Sequence, residues 1–200
     1  MGFGTKQQRT FFKIKEGKIV ITDKDKNETL YDFFEGKLKS IKYADRNVNF
    51  KGVDSIVKSY DITFNDNGKE YCWSPNYDSS LYSGFINAIA SLDDFSQKIY
   101  IRPYLNKDKT RTNLYIEVNG NRLDWKYSIA EMPKIVPLID KKGREIKNAQ
   151  GNTIYDLEDR LEWVKKVTTD VVAKLEQHKV NDNYDDEVET EVGTSDDIPF

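Results

Sequence analysis

The sequence has one cysteine, Cys72, and one histidine, His178, among its 200 residues. A single cysteine excludes a disulfide framework within the chain, and this pair supplies too few ligands for a typical zinc site. The low cysteine content suits a reducing cytoplasm. We therefore expect a cytoplasmic protein without a metal or a cofactor.

Motifs of catalysis and of membrane insertion are also missing. No window approaches the roughly 20 apolar residues of a membrane-spanning helix, and the first nine residues lack the apolar core of a signal peptide. No Gly-rich phosphate loop, dinucleotide fingerprint or metalloprotease motif occurs. We expect a protein that is not an enzyme and does not enter a membrane. Carboxylates far apart in sequence leave a metal-dependent nuclease open.

Charge is distributed unevenly, although the formal net charge is only −3. Eight of the 34 acidic residues lie between Asp182 and Phe200, a stretch without Lys or Arg. Residues 1–181 therefore have 26 acidic and 31 basic side chains, a net charge of about +5. A basic body with an acidic tail is typical of proteins that bind polyanions and regulate that binding themselves.

The acidic tail ends in Asp196, Asp197, Ile198, Pro199 and Phe200. This ending resembles the C-terminal tip of bacterial single-stranded DNA-binding proteins, and many bacteriophage single-stranded DNA-binding proteins also end in an acidic tail with a terminal Phe. The resemblance implies that the acidic side chains mimic a phosphate backbone in the protein's own basic groove. It also implies that the tip binds replication and repair proteins, whose Arg or Lys would take the terminal carboxylate. The body of the chain does not resemble the bacterial proteins.

Short strands with regular turn signals predict a mainly β protein, an OB-fold-like small β-barrel with a covering helix. The turns are Glu16-Gly17, Asn65–Gly68 and Asn119–Asn121, since Gly and Asn tolerate positive φ. No internal repeat is apparent. The predicted strands are Thr10–Lys15, Lys18–Thr22, Lys37–Tyr43, Ile56–Phe64, Lys69–Tyr77, Ser96–Leu105, Thr112–Val118 and Arg122–Tyr127.

Two helices interrupt this pattern. Asp78 would cap the covering helix, from Ser79 to about Leu92. A long C-terminal helix should follow from about Ile154 to Lys179, with Thr153 and Asp156 as a capping box. The sequence thus divides into a binding domain in residues 1–153, a helix in residues 154–180 and a disordered acidic tail in residues 181–200. The helix has an apolar stripe that could dock on its own domain or form a homo-oligomer contact: Leu157, Leu161, Val164, Val171 and Leu175.

The segment Lys98–Leu105 carries the clearest surface signal. Side chains alternate across a strand, so Ile99, Ile101, Pro103 and Leu105 should face inward. The opposite face then presents Lys98, Tyr100, Arg102 and Tyr104. Rings between cations suit single-stranded nucleic acid, because the rings stack on unpaired bases and the cations follow the phosphates.

Neighbouring segments extend this predicted face. The next strand adds Tyr115, and the connecting loop adds Lys107, Lys109 and Arg111. Trp73 is a further candidate for stacking, with burial in the core as the alternative. Trp125 fits the core, and one of each pair Phe11-Phe12 and Phe33-Phe34 should face outward.

Together these features predict sequence-independent binding of single-stranded DNA in replication, recombination and repair, in a bacteriophage protein that acts in the host cytoplasm. Two alternatives remain at this stage. One is an adaptor or phage assembly protein without DNA binding, whose tail is only a docking peptide. The other is an accessory nuclease or recombination factor that acts on the same substrate.

Overall fold

The N-terminal strands form where the turn signals predict them. The computed structural model describes residues 9–50 and 52–188. Glu16 and Gly17 have φ values of 51° and 74°, and Asn67 and Gly68 have 49° and 80°. Positive φ at both central residues is the backbone of a type I′ turn, which joins two antiparallel strands. The first six strands are β1 (Thr10–Lys15), β2 (Lys18–Thr22), β3 (Glu28–Tyr31), β4 (Phe34–Phe50), β5 (Val53–Asp66) and β6 (Lys69–Trp73).

Helix α1 (Ser80–Ile89) separates these strands from the next group. Its N-cap is Ser79 rather than the predicted Asp78. The predicted strand Arg122–Tyr127 is wrong beyond its first residue, because the chain leaves the sheet after Arg122. The strands after α1 are β7 (Lys98–Leu105), β8 (Thr112–Val118) and β9 (Asn121–Arg122).

All nine strands belong to one sheet, in the order β3-β2-β1-β6-β5-β4-β7-β8-β9. The β1–β6 pair is parallel, and the other pairs are antiparallel. Strands β4, β5 and β6 form a meander, and β7 returns after α1 to lie beside β4. This spatial order is that of a Greek key. The mainly β class is confirmed, but no strand pairing among the described residues closes the sheet into a barrel.

The sheet coils until its first hairpin touches the end of β7. The Gly17 N–H donates a hydrogen bond of 3.2 Å to the Thr112 hydroxyl oxygen, at the start of β8. A Cβ at Gly17 would lie 3.0 Å from the Leu105 backbone nitrogen. Glycine therefore serves both the positive φ of the turn and the close approach of two backbones.

The inner face of the sheet packs on α1 through aromatic side chains. The rings of Tyr60 and Tyr82 stack with centroids 4.3 Å apart. Phe85 makes edge contacts with Phe64 and with Trp73. Trp73 is 3% exposed, so the alternative in which it belongs to the core is the one that the structure shows. Its predicted role as a surface platform for base stacking is wrong, because α1 covers it.

Residues 136–156 contain an eight-residue repeat that the sequence pattern did not reveal. Strand β10 (Val136–Pro137) pairs with β11 (Tyr155–Asp156). Between them, the backbone N–H groups of Leu138, Ile146 and Ile154 donate to the carbonyls of Ile154, Leu138 and Ile146, respectively, at 2.8–2.9 Å. Three positions eight residues apart thus close a ring of three hydrogen bonds.

The side chains of this segment repeat with the same spacing. Asp140 Oδ1 accepts from the N–H groups two and four residues later, and Asn148 Oδ1 does the same. Asp156 Oδ1 accepts from the N–H of Glu158, again two residues later. Gly143 and Gly151 have φ values of 77° and 81°, so each loop needs a glycine at the same place.

The last turn of the repeat starts helix α2 (Glu158–Val188). The predicted capping box is wrong in one partner, because Thr153 donates to Glu145 instead. The helix backbone continues to Val188, so the predicted disorder of residues 181–188 is also wrong. Residues 189–200 lie outside the part of the chain that the structure describes.

Helix α2 docks on its own domain through the predicted apolar stripe. Val164, Val171 and Leu175 are buried. Between them, the Tyr82 hydroxyl donates a 2.8 Å hydrogen bond to Thr168 Oγ1, which itself donates to the Val164 carbonyl. The apolar stripe therefore packs against the chain's own domain. Further along, Lys174 bonds to the carbonyl of Leu92.

Candidate nucleic-acid interface

Strand β7 presents the predicted alternation of side chains. Ile99, Ile101 and Pro103 are buried on the α1 side. The outer face carries the four predicted side chains, of which Arg102 and Tyr104 are exposed and the first two are half-buried: Lys98, Tyr100, Arg102 and Tyr104. This alternation confirms that the four side chains share one surface.

Tyr100 is half of a stacked aromatic pair. Its ring lies 4.9 Å from the ring of Phe33, centroid to centroid, with an angle of 29° between the planes. Phe33 is 51% exposed, whereas its neighbour Phe34 is packed against the core. The expectation that one ring of the pair faces outward is confirmed. Phe33 thereby joins the candidate surface, which sequence reasoning had not assigned to it.

Tyr115 is held by its neighbours rather than left free. The guanidinium groups of Arg102 and Arg122 lie 5.3 and 5.8 Å from the centroid of its ring. Its hydroxyl donates a 2.7 Å hydrogen bond to Glu117, which raises the pKa of Tyr115. The two cation–π contacts hold the arginines on the outer face. Tyr115 therefore serves better as a support for arginines than as a platform for a base.

Carboxylates reduce the positive charge at the middle of this face. Lys98 forms a 2.8 Å ion pair with Asp66, and this hydrogen bond raises the pKa of Lys98. Glu35 and Glu117 lie directly opposite Tyr100 on the two flanking strands. Lys98 is therefore a weaker candidate for phosphate binding than its position in the strand predicted.

The excess of positive charge lies at the loop between β7 and β8. Lys107, Lys109 and Arg111 are exposed there, beside a single acidic residue. Asn106 shapes the loop, because its side chain accepts from the N–H of Arg111 and donates to Thr110. Tyr104, which is 45% exposed, stands at the same end of β7. The structure thus brings one free ring and three cations together.

A second set of cations was recognised in the sequence only in part, since the basic N-terminal segment was a candidate for phosphate contacts and the cations of β4 were not. It lies on the outer face of β1, β6, β5 and β4, where Phe11, Cys72, Thr63 and Ser40 are direct neighbours across the strands. Small side chains form the floor, and Phe11 is 56% exposed. We call the surrounding cations the basic strip: Arg9, Lys13, Lys37, Lys39, Lys42 and Arg46.

The basic strip carries more positive than negative charge. Glu70 pairs with Arg9 at 3.2 Å and lies 4.0 Å from Lys39, and Asp61 pairs with Arg46. Among the described residues, no carboxylate lies within 4.0 Å of the ammonium groups of the other three lysines, Lys13, Lys37 and Lys42. Four of the six cations lie in β4, Lys13 lies in β1, and Arg9 directly precedes β1. The two groups are more than twenty residues apart in sequence, and the sheet brings them to one surface.

The exposure of Trp125 contradicts the sequence prediction that it lies in the core. It is 50% exposed, while Trp73 is buried. The strand that would have placed Trp125 in the core ends at Arg122. The predicted tail residues Asp196, Asp197, Ile198, Pro199 and Phe200 lie outside the described residues.

Comparison of the chain with protein-family models, curated proteins and solved structures finds no match in any of the three. In the described ranges, no helix is long and apolar enough to cross a membrane. No group of three or more His, Cys, Asp or Glu side chains gathers as a metal site in residues 9–50 and 52–188.

Proposed function

We propose that the protein binds single-stranded DNA without sequence preference, on the outer face of its sheet. The observation that carries this proposal is the alternation along that face of exposed rings with cations, most of which have no carboxylate partner within 4.0 Å among the described residues. Phe11 stands within the basic strip, and Tyr104 stands beside the loop cations Lys107, Lys109 and Arg111. Cations along a groove neutralise phosphates, and rings stack on bases for about 1–3 kcal/mol each.

The strand connectivity supports an OB-fold-like arrangement. Strands β4 to β8 run as a meander, a helix and a hairpin with Greek-key order, and the OB-fold is a five-stranded, partly open Greek-key barrel. Its oligonucleotide-binding surface is the face of the second and third strands with the loops after the first and fourth strands. Those places correspond here to the outer face of β5 and β6, the β4–β5 turn and the β7–β8 loop. The basic strip and the loop cations occupy two of them.

The acidic tail supplies the regulation in this proposal. Its negative charge competes with DNA for the basic surface at low salt, because both are polyanions. Once DNA occupies the surface, Ile198, Pro199 and Phe200 are released to recruit proteins of replication, recombination and repair. The similarity of this tip to those of bacterial and phage single-stranded DNA-binding proteins supports a phage protein of this kind.

A titration with fluorescent oligo-dT tests the proposal. We expect saturable binding whose log K falls linearly with log salt, with a slope of about −0.7 for each phosphate contacted. The titration is repeated with and without magnesium, and the oligonucleotide is checked for cleavage. No retardation at low salt would favour an adaptor without DNA binding, and magnesium-dependent cleavage would favour a nuclease.

A further inference from the structure

A cleft of about 360 Å³ lies between helix α1 and strand β8, at the end of the candidate interface. Exposed side chains of two rings and two arginines line it: Tyr104, Trp125, Arg111 and Arg122. We propose that this cleft takes one unpaired base of the bound strand and stacks it on Trp125. The proposal rests on the proposed function, since the ligand is part of a single-stranded polynucleotide.

The exposure of Trp125 is the first argument. Half of this large apolar side chain faces solvent, and its ring lies beside Gly84 of α1. A Cβ at Gly84 would stand 3.8 Å from the indole Cζ2 atom and, apart from its chain neighbours and the backbone of its own helix, would meet no other described heavy atom within 4 Å. A bare turn of helix therefore leaves open space next to the ring. Glycine inside a helix is less favourable than alanine, so this opening lowers the stability of α1.

The backbone after Trp125 is fixed, which is the second argument. The side chain of Asn87 in α1 is completely buried. Its Oδ1 accepts from the N–H of Tyr127 at 3.0 Å, and its Nδ2 donates to the Tyr127 carbonyl at 2.9 Å. The Asn87 carbonyl also accepts from the N–H of Lys126. The indole therefore projects from a segment that is already ordered, so less conformational entropy is lost when a base stacks on it.

The charges around the cleft are the third argument. Arg111 belongs to the cationic β7–β8 loop, and Arg122 is held over the Tyr115 ring. In the part of the chain that the structure describes, Arg122 pairs with Asp124 at 3.9 Å, and Asp124 is almost fully exposed, so this contact is weak in water. A base on Trp125 would thus have a guanidinium available for the phosphate on either side.

The volume of the cleft limits the class of ligand that fits. Its volume lies at the low end of the range for small-molecule pockets, about 300–1,000 Å³. It therefore suits one planar base with part of its sugar rather than a duplex or a peptide helix. Because Tyr104 and Arg111 belong both to the cleft and to the candidate interface, one strand can follow the interface and end in the cleft.

Two variants test the assignment from opposite directions. Trp125→Ala removes the ring, and Gly84→Leu fills the space beside it while raising the helix propensity of α1. We expect each to weaken oligo-dT binding about 5- to 150-fold, the range that the loss of one stacked base gives. Tyr155→Ala is the matched control, since Tyr155 is equally exposed but lies in the eight-residue repeat; we expect unchanged affinity.

Intrinsic fluorescence supplies a second readout. Trp73 is buried and Trp163 is half-buried, so a stacked base should quench mainly the emission of Trp125. Oligo-dT should quench the wild-type protein strongly and Trp125→Phe weakly, while Trp125→Phe keeps most of the affinity. If the wild type binds oligo-dT but Trp125→Ala and Gly84→Leu bind equally well and quenching is absent, the cleft assignment is overturned and the proposed function stands. If the wild type binds no oligo-dT, both are overturned.

Discussion

Phe33 and Tyr100 form a stacked pair on the outer face of the sheet, one from the residue before β4 and the other from β7. The two rings cover each other on one side, so a base can reach only their remaining faces. The pair therefore offers a single platform, and its two residues depend on each other.

Substitution of this pair should show that dependence. We expect Phe33→Ala and Tyr100→Ala each to weaken oligo-dT binding by about 5- to 10-fold, near the lower limit for one stacked base. The double variant should lose less than the product of the two effects, since removing either ring already disrupts the platform. Leu30→Ala, an exposed apolar residue of β3, is the control. Strictly multiplicative losses would show that the rings act independently.

Phosphate contacts should reside in the basic strip. Lys42→Gln and Lys13→Gln should each make the slope of log K against log salt shallower by roughly 0.7, the contribution of one phosphate in single-stranded DNA. Lys98→Gln should change it less, because Asp66 already pairs with that lysine. Slopes measured between low and moderate salt decide this, and an unchanged slope for both strip variants would place the phosphates elsewhere.

The tail should compete with DNA. Deletion of residues 189–200 removes the last four acidic side chains of the chain and leaves the described helix intact. We expect tighter oligo-dT binding at low salt and loss of binding to partner proteins. A variant with Ile198 and Phe200 replaced by Ser keeps the charge, so it should lose only the partners. Equal affinity of the full and shortened chains at low salt would contradict the competition.

The end of α2 should respond to acid. Hydrogen bonds from Ser96, Gln97 and His178 hold the pKa of Asp94 well below its usual range. A carboxyl with a lowered pKa stabilises the fold above its unfolded pKa, near 3.8, and this contribution is lost as the pH falls further. Asp94→Asn should therefore lower the melting temperature at pH 7, and the difference should shrink below about pH 4.

Asp170→Asn on the exposed side of α2 is the control for this acid dependence. It exchanges the same side chains at a position that no hydrogen bond from the sheet domain reaches among the described residues. Melting curves at pH 7 and pH 3 should show little change for it. A difference for Asp94→Asn that stays constant across this range would contradict the assignment.

The buried contact between α1 and α2 should be asymmetric. Thr168→Val leaves the Tyr82 hydroxyl buried without an acceptor, at a cost of about 1–3 kcal/mol. Tyr82→Phe costs less, because Thr168 still donates to the Val164 carbonyl. The double variant should be nearly as stable as Tyr82→Phe alone. Urea unfolding measures the three free energies, and a double variant less stable than Thr168→Val would contradict this account.

Local features of the fold could be read from the sequence. The hairpins at Glu16-Gly17 and Asn67-Gly68 depend on residues that tolerate positive φ, and the faces of β7 depend on a period of two. Both are properties of a few adjacent residues. For the same reason the two helices and the mainly β class could be predicted.

Features that depend on distant segments could not. Trp73 and Trp125 exchange the places that the sequence predicted, because burial depends on which surface α1 covers. The basic strip combines four cations of β4 with two from β1 and the residue before it, and only the strand order brings the two groups together. Tyr115 changes role because Arg122 arrives from the next strand. Sheet register decides each of these, and no single segment encodes it.

The ring of hydrogen bonds through Leu138, Ile146 and Ile154 fixes the length of the segment before α2. An insertion or deletion of one to seven residues would shift one of these three positions out of register. One backbone N–H and one carbonyl would then lose their hydrogen-bond partners. Deletion of one whole eight-residue repeat would leave two of the three positions, which cannot close the ring of three hydrogen bonds. This part of the chain is therefore a rigid spacer of fixed length between sheet and helix, and graft or truncation points belong outside residues 136–156.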